Sequence, residues 1–248
     1  MRGKIINTLA LPALPLLLMQ GRRLDRSILR LLPAQGPRAG VIAGSGEPLR
    51  LLTLGESTAV GVGVDSMEDA VACHFARMLG EHSGRAIAWE ATGRPGATVS
   101  AGYAHLLPAI ETGPRDLVLL LFGANDVLER RHARDFAVDM QRLIEGLRER
   151  VGSANILISS VPPLGTFPAL PQPLRTYLGA WSRWLDHALE RLHLPGVHYA
   201  PVRIPMPAHL FASDGFHPGI AGYRVWAEAL AASAVRHGLV PRLPGPGI

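Results

Sequence analysis

Hydrophobic residues follow two different periods along the chain after residue 47. Short apolar runs have the length and composition of buried strands, and they lie at 49–54, 86–91, 116–122, 155–160 and 197–201. Longer segments repeat apolar residues every three or four positions and predict helices at 67–80, 98–110, 133–150, 174–193 and 218–236. In the third of these, Phe136, Met140, Leu143 and Leu147 are spaced by four, three and four positions. Strands and helices therefore alternate.

This alternation predicts an α/β fold, a three-layer α/β/α arrangement with a five-stranded, doubly wound parallel sheet. Helical crossovers between parallel strands are right-handed, so helices should cover both faces of the sheet. In such sheets ligands bind beyond the carboxyl ends of the strands, at the point where the strand order reverses. Residues that directly follow the predicted strands are therefore the first candidates for a functional site.

The first 46 residues have a different pattern. An apolar stretch at 5–19 follows Arg2 and Lys4, as in a secretory signal, but Pro12 and Pro15 interrupt it. As a helix it would span only about 22 Å, against roughly 30 Å for a hydrocarbon core, so a membrane-spanning helix is not expected.

Residues 21–32 combine apolar positions at helical spacing with four arginines, which predicts a basic amphipathic helix. Residues 2–32 are open to three interpretations, namely a membrane-surface anchor, an atypical or uncleaved signal, and an arm packed on the domain. The protein could accordingly be membrane-associated, exported or soluble. Because 33–48 is rich in glycine, proline and alanine, it is interpreted as a linker. We therefore predict an N-terminal segment and linker at 1–46 and a catalytic domain at 47–248.

Charge supports this division. The chain of 248 residues carries 25 basic and 20 acidic side chains, a net charge of +5. Residues 1–50 hold eight basic and two acidic groups, whereas 51–248 hold 17 and 18, so the body has a net charge of −1. A nucleic-acid-binding domain should carry its basic patch on the folded body, and so no nucleic-acid partner is expected. The single cysteine, Cys73, and the absence of any H-E-x-x-H spacing indicate no metal site and no cofactor.

Three strand ends and one turn carry candidate chemistry. Ser57 follows the first predicted strand in Gly55-Glu56-Ser57, although a serine there could equally cap a helix. Ala59 excludes the G-x-S-x-G elbow of α/β-hydrolases. Asp214 and His217 lie in a turn before the last helix, where they could orient and supply a general base, or simply cap that helix.

Two further candidates could stabilise an oxyanion. Asn125 follows the third predicted strand in Gly123-Ala124-Asn125-Asp126 and offers an amide donor. Gly96 follows the second strand, where a glycine lets a backbone N–H approach a ligand, although many such glycines only form turns. Asp126 is expected to hold the loop.

Together these blocks resemble the SGNH hydrolase superfamily, the GDSL esterases and lipases, over about residues 50–236. The resemblance implies a flavodoxin-like hydrolase fold with Ser57 as nucleophile, His217 as base and Asp214 as the group that orients it. It also implies an oxyanion hole formed by the Ser57 and Gly96 amides and the Asn125 side chain. Glu56 is a departure, since the family name has aspartate there.

The function implied is hydrolysis of small-molecule carboxylic esters or thioesters, with short acyl groups, through an acyl-enzyme on Ser57. The alternative is a non-catalytic member of the same fold that binds acyl chains or a lipid surface. Substrate specificity is assigned to the proline-rich segment 161–175 and to 204–211, each of which could instead be a rigid connector.

Overall fold

The computed structural model describes residue 6 and residues 11–27, 30–152, 154–203 and 205–241, with backbone only at 24–27. Its strands are β1 (Ala39–Ile42), β2 (Ser45–Gly55), β3 (Arg85–Gly93), β4 (Leu117–Leu121), β5 (Asn155–Ser159) and β6 (Val197–Ala200). Its α-helices are α1 (Leu14–Ser27), α2 (Val71–Ser83), α3 (Val99–Ala101), α4 (Ala124–Leu128), α5 (Ala133–Val151), α6 (Leu174–Glu190) and α7 (Ile220–Arg236). A π-helical turn at Gly102–Leu106 and a 3-10 turn at Leu107–Ala109 extend α3.

The strands form one sheet in the order β1-β3-β2-β4-β5-β6. Strands β2 to β6 are parallel to one another, and the chain moves outward from β2 to β3 before crossing back to β4. The strand order therefore reverses between β2 and β4, which places a binding crevice at their carboxyl ends. The predicted α/β fold class with five parallel strands is confirmed.

A sixth strand was not predicted. Strand β1 pairs antiparallel with β3, with Ala39 opposite Glu90 and Ile42 opposite Ile87. Just before it, Ala34 donates its N–H to Val60 O (3.0 Å). The interpretation of 33–48 as a linker was therefore wrong, because this stretch holds an edge strand that covers β3 and backbone bonds to the loop that follows Ser57.

Side chains of the strands alternate between two cores, as expected where both faces of a sheet are covered. Leu52 and Leu54 of β2 face the core formed with α3, α5 and α6. Leu51, directly before Leu52 in the strand, faces the core formed with α2 and α7. All three are at most 1% exposed. Burying a leucine side chain contributes roughly 1.5–3 kcal/mol, so this alternation fixes which face of β2 meets each helical layer.

Helix α1 begins seven residues earlier than the predicted amphipathic helix at 21–32 and ends at Ser27. Leu17 is buried in the core beside α6, and the Gln20 side chain exchanges hydrogen bonds with Gln172 O (2.6 Å) and Leu174 N (3.1 Å). Among the described residues, no helix is both long and apolar enough to cross a membrane. Helix α1 is thus packed against the domain at the start of α6.

Candidate active site

Ser57 lies directly beyond the carboxyl end of β2, the central position of the sheet. Strand β2 ends at Gly55, where a Cβ would lie 2.4 Å from Leu121 O of β4, so only glycine allows the two strands to come this close. The chain then turns through a 3-10 segment, Ser57–Val60. Ser57 is buried except for 8% of its surface, and it faces the crevice at the strand ends.

The turn before α7 brings a histidine and a carboxylate to this serine. His217 Nε2 lies 2.9 Å from Ser57 Oγ, although the two residues are 160 positions apart in the chain. On the other side of the ring, His217 Nδ1 lies 2.6 Å from Asp214 Oδ2. The three side chains therefore form a continuous hydrogen-bonded series from carboxylate to hydroxyl. In this series Asp214 can fix the histidine tautomer that leaves Nε2 as the acceptor.

Asp214 is itself held in place by the backbone. Its Oδ1 accepts hydrogen bonds from the N–H groups of Phe216 and His217, each at 2.9 Å. Burial would raise the pKa of Asp214, but these amides and the His217 ring together hold it below its ordinary value. Asp214 is therefore ionised at neutral pH and can stabilise a positive charge on the imidazole.

Asn125 reaches the crevice from the end of β4. Gly123 adopts φ of +129°, a conformation that favours glycine, and this turn starts the short helix α4 that carries Asn125. The Asn125 side-chain amide Nδ2 donates to Glu56 Oε2 (2.6 Å) and to Ala97 O (3.3 Å). One N–H is thus firmly held and the other makes a longer bond.

Glu56 anchors this arrangement, and its role was not apparent from the sequence. Its fully buried carboxyl also accepts the backbone N–H groups of Ala124 and Asn125, both at 3.2 Å. Burial raises the pKa of Glu56 to about 7, despite the three N–H groups that favour the ionised form. The longer glutamate thus spans from the β2 end to the first turn of α4, a contact between residues 69 positions apart.

Asp126 is buried beneath the crevice loop, and Gly96 lines the crevice itself. Asp126 Oδ2 accepts the N–H of Val99 (3.1 Å) and so joins α4 to the start of α3, as expected of a residue that holds the loop. Gly96 has φ of +79° and borders the same cavity as Ser57 and Asn125. The structure therefore brings all five candidate residues together at one cavity, namely Ser57, Gly96, Asn125, Asp214 and His217.

Two cavities meet at Ser57 and His217. The smaller, about 60 Å³, lies toward the proline-rich segment and 205–211, and its lining includes Phe167, Val202 and Phe211. Ile204, which the sequence analysis also assigned to specificity, lies outside the described residues. The larger, about 980 Å³, extends from Gly96 and Asn125 to helix α1. In the described part of the chain, no three His, Cys, Asp or Glu side chains are grouped so as to hold a metal ion.

Comparison with known proteins gives relatives that match this architecture. The chain is 29% identical over 208 residues to a GDSL-like esterase of Mycobacterium tuberculosis, an alignment that covers 80% of this chain and 65% of that protein. The chain thus spans slightly less than two thirds of the length of this relative.

Two solved structures share the fold at low sequence identity. A lipase from a goat rumen metagenome superposes with a TM-score of 0.59 at 17% identity, covering 75% of this chain and 97% of that one. A family 3 carbohydrate esterase of Clostridium thermocellum gives 0.57 at 16% identity, covering 78% and 100%.

A family model also matches residues 53–225, a range that holds Ser57, Gly96, Asn125, Asp214 and His217. This range also includes every strand from β3 to β6. The chain therefore belongs to the GDSL-like lipase/acylhydrolase family.

Proposed function

We propose that this protein is a serine esterase that hydrolyses small carboxylic esters or thioesters through an acyl-enzyme on Ser57. The observation that carries the proposal is the hydrogen-bonded series Ser57 Oγ, His217 and Asp214, with separations of 2.9 and 2.6 Å. A serine hydroxyl is a weak nucleophile until a base within hydrogen-bond distance takes its proton, and this series supplies both the base and the group that orients it.

In the proposed mechanism, Ser57 Oγ attacks the ester carbonyl carbon while His217 Nε2 takes the hydroxyl proton. The tetrahedral intermediate collapses as the carbon–oxygen or carbon–sulfur bond to the leaving group breaks, and His217 gives that group its proton. Water then attacks the acyl-enzyme with His217 again as base, releasing the acid and restoring Ser57. Asp214 stabilises the imidazolium in both steps.

The oxyanion would be bound by the backbone N–H groups of Ser57 and Gly96 and by Asn125 Nδ2. Of the two Asn125 bonds, the one to Ala97 O is the longer at 3.3 Å, so this N–H is the one that can turn to the oxyanion. The 2.6 Å bond to Glu56 keeps the amide in position meanwhile. A preorganised donor of this kind typically contributes about 10²–10³ in rate.

The first test compares hydrolysis of p-nitrophenyl acetate and butyrate by the wild type and by Ser57→Ala. We expect kcat to fall by about 10³-fold or more in Ser57→Ala, since the nucleophile is lost. A fluorophosphonate probe should label the wild type but not Ser57→Ala. Ser100→Ala, which removes an exposed serine hydroxyl from α3, serves as the matched control and should keep both properties. Equal activity in Ser57→Ala and the wild type would refute the assignment.

The alternative function is that of a non-catalytic protein that binds acyl chains. In that case a folded wild-type sample would not be labelled by the fluorophosphonate probe and would release no acid from esters. The short bonds of His217 to both Ser57 and Asp214 favour catalysis, because a binding site for apolar chains has no need of an oriented base.

We also propose contact of residues 2–32 with a membrane surface. The observation in favour is that the side of α1 away from the large cavity exposes Leu16 and Met19, both 41% exposed, together with the exposed Arg23. Apolar and basic side chains together suit an anionic lipid surface. No nucleic-acid partner is proposed.

A further inference from the structure

Helix α1 lies against the mouth of the proposed active site. The large cavity that is lined by Ser57, His217 and Asn125 is bordered on one side by Leu14, Leu18 and neighbouring residues of the N-terminal segment. Its inner side is formed by Leu174 and Leu178 of α6. The apolar side chains of two helices therefore face each other across a space that begins at the nucleophile.

The position of α1 is fixed by contacts of its own. Leu17 is 6% exposed and belongs to the core that contains Leu174 and Leu178. Gln20 bonds the backbone at both Gln172 and Leu174. Leu14 and Leu18, which border the cavity, are 39% and 45% exposed. Leu17 and Gln20 thus hold the helix against the domain, whereas Leu14 and Leu18 face the cavity.

The two cavities at Ser57 differ greatly in size. The smaller one offers room for about four to six water molecules, enough for a short acyl group, and is bordered by the buried side chains of Ser160, Phe211 and Trp226. The larger one, about 980 Å³, is at the upper end of the size of small-molecule sites and reaches exposed residues. In an acyl-enzyme the acyl group stays attached while the alcohol must leave, so the open cavity suits the alcohol.

We infer that Leu14 and Leu18 of α1 form a substrate-binding wall, and that the enzyme takes esters of a short acyl group with a long apolar alcohol lying between α1 and α6. The inference rests on the proposed function and deepens it. The N-terminal segment thereby becomes part of the site and determines which alcohols bind. The short acyl group occupies the cavity beside the proline-rich segment.

The test compares octyl acetate with its reverse, ethyl octanoate, by titrating the acid released. We expect the wild type to prefer octyl acetate. The double variant Leu14→Gln/Leu18→Gln should raise KM for octyl acetate about tenfold, since each buried methylene lost costs roughly fourfold in binding. KM for ethyl acetate should rise less, because an ethyl group has little apolar surface to bury against α1. Glutamine has a helix propensity close to that of leucine, so α1 should be retained.

The matched control is Leu16→Gln/Met19→Gln, which changes two residues of the same helix that are equally exposed and do not border the cavity. It should leave KM for octyl acetate within twofold. Preference for ethyl octanoate, or equal losses in the two double variants, would overturn the inference.

Binding of octyl acetate to Ser57→Ala, measured by calorimetry, separates this inference from the proposed function. If the wild type hydrolyses no ester, the proposed function fails. The wall is still supported if the affinity of Ser57→Ala falls about tenfold when Leu14→Gln/Leu18→Gln is added. It is refuted if the affinity does not change.

Discussion

At the scale of single residues, the site depends on carboxyl groups that serve other side chains. Asp214 bonds two backbone amides and the His217 ring, and Glu56 bonds two amides and the Asn125 side chain. Each carboxyl fixes the direction of one functional group. A change of conformation at either carboxyl would break buried hydrogen bonds, so we expect the geometry of Ser57, the proposed nucleophile, and of Asn125, the proposed amide donor, to be set before substrate arrives.

Asp214→Asn tests this orientation. The asparagine oxygen can still accept the amides of Phe216 and His217, which turns its NH₂ group toward His217 Nδ1. That forces the ring proton onto Nε2, where the ring can no longer accept from Ser57 Oγ. We expect kcat for p-nitrophenyl acetate to fall about 10³–10⁴-fold. The exposed neighbour substitution Ser213→Ala should change it less than twofold, and a loss below tenfold in Asp214→Asn would contradict the proposed role.

At the scale of secondary-structure elements, different roles are proposed for two sides of helix α1. Leu14 and Leu18 face the cavity, whereas Leu16, Met19 and Arg23 do not border it. Since i, i+4 positions share a helix face, the two sides can be changed independently. The sequence left anchor, signal and packed arm as alternatives, and the packing of Leu17 shows that the helix at least contacts the domain.

The proposed membrane contact is tested on the outward side of α1. In Leu16→Gln/Met19→Gln, the fraction of protein that sediments with vesicles containing anionic lipid should fall by about fivefold or more. The reason is that apolar side-chain area available for insertion is lost. Leu14→Gln/Leu18→Gln should lower this fraction less. Binding that is the same for the wild type and both variants would exclude α1 as the contact, and binding that persists in high salt would exclude a contribution from the arginines.

At the scale of the whole molecule, two buried carboxyl groups beside the site titrate near neutral pH. Burial raises the pKa values of Glu56 and Asp126 to about 7 in each case. Asp126 Oδ1 is also buried without a hydrogen-bond partner among the described residues. When folding raises the pKa of a carboxyl group, the folded state gains stability from the protonated group. This contribution is fully present below about pH 4, near the pKa in the unfolded chain, and it is lost as the pH rises to about 7.

Asp126→Asn removes one of these titrations. We expect the free energy of unfolding of this variant, relative to the wild type, to increase by about 1–3 kcal/mol between pH 5 and pH 8, since only the wild type must ionise a buried carboxyl. Urea unfolding at several pH values measures the difference. Glu149→Gln, at an exposed position of α5 that does not contribute to the Asp126 pKa, should show no such trend. A pH-independent difference for Asp126→Asn would contradict the buried titration.

Much of the fold followed from local pattern. The predicted strands 86–91 and 155–160 correspond to Arg85–Gly93 and Asn155–Ser159, and the predicted helix 133–150 corresponds to Ala133–Val151. Periodicity is a local property of buried elements, so their positions could be predicted. Strand β1 could not be predicted in this way, because an exposed edge strand of four residues carries no apolar period and exists only through pairing with β3.

The sequence by itself determined the α/β class, the residues able to perform ester chemistry and their order along the chain, since these depend on local periodicity and on side-chain identity. Only the tertiary structure decided that Ser57 and His217, 160 positions apart, lie 2.9 Å from each other. It also decided that Glu56 holds Asn125 and that α1 borders the cavity. The physical reason is that such contacts depend on how whole elements pack, and packing is settled by burial summed over the entire core.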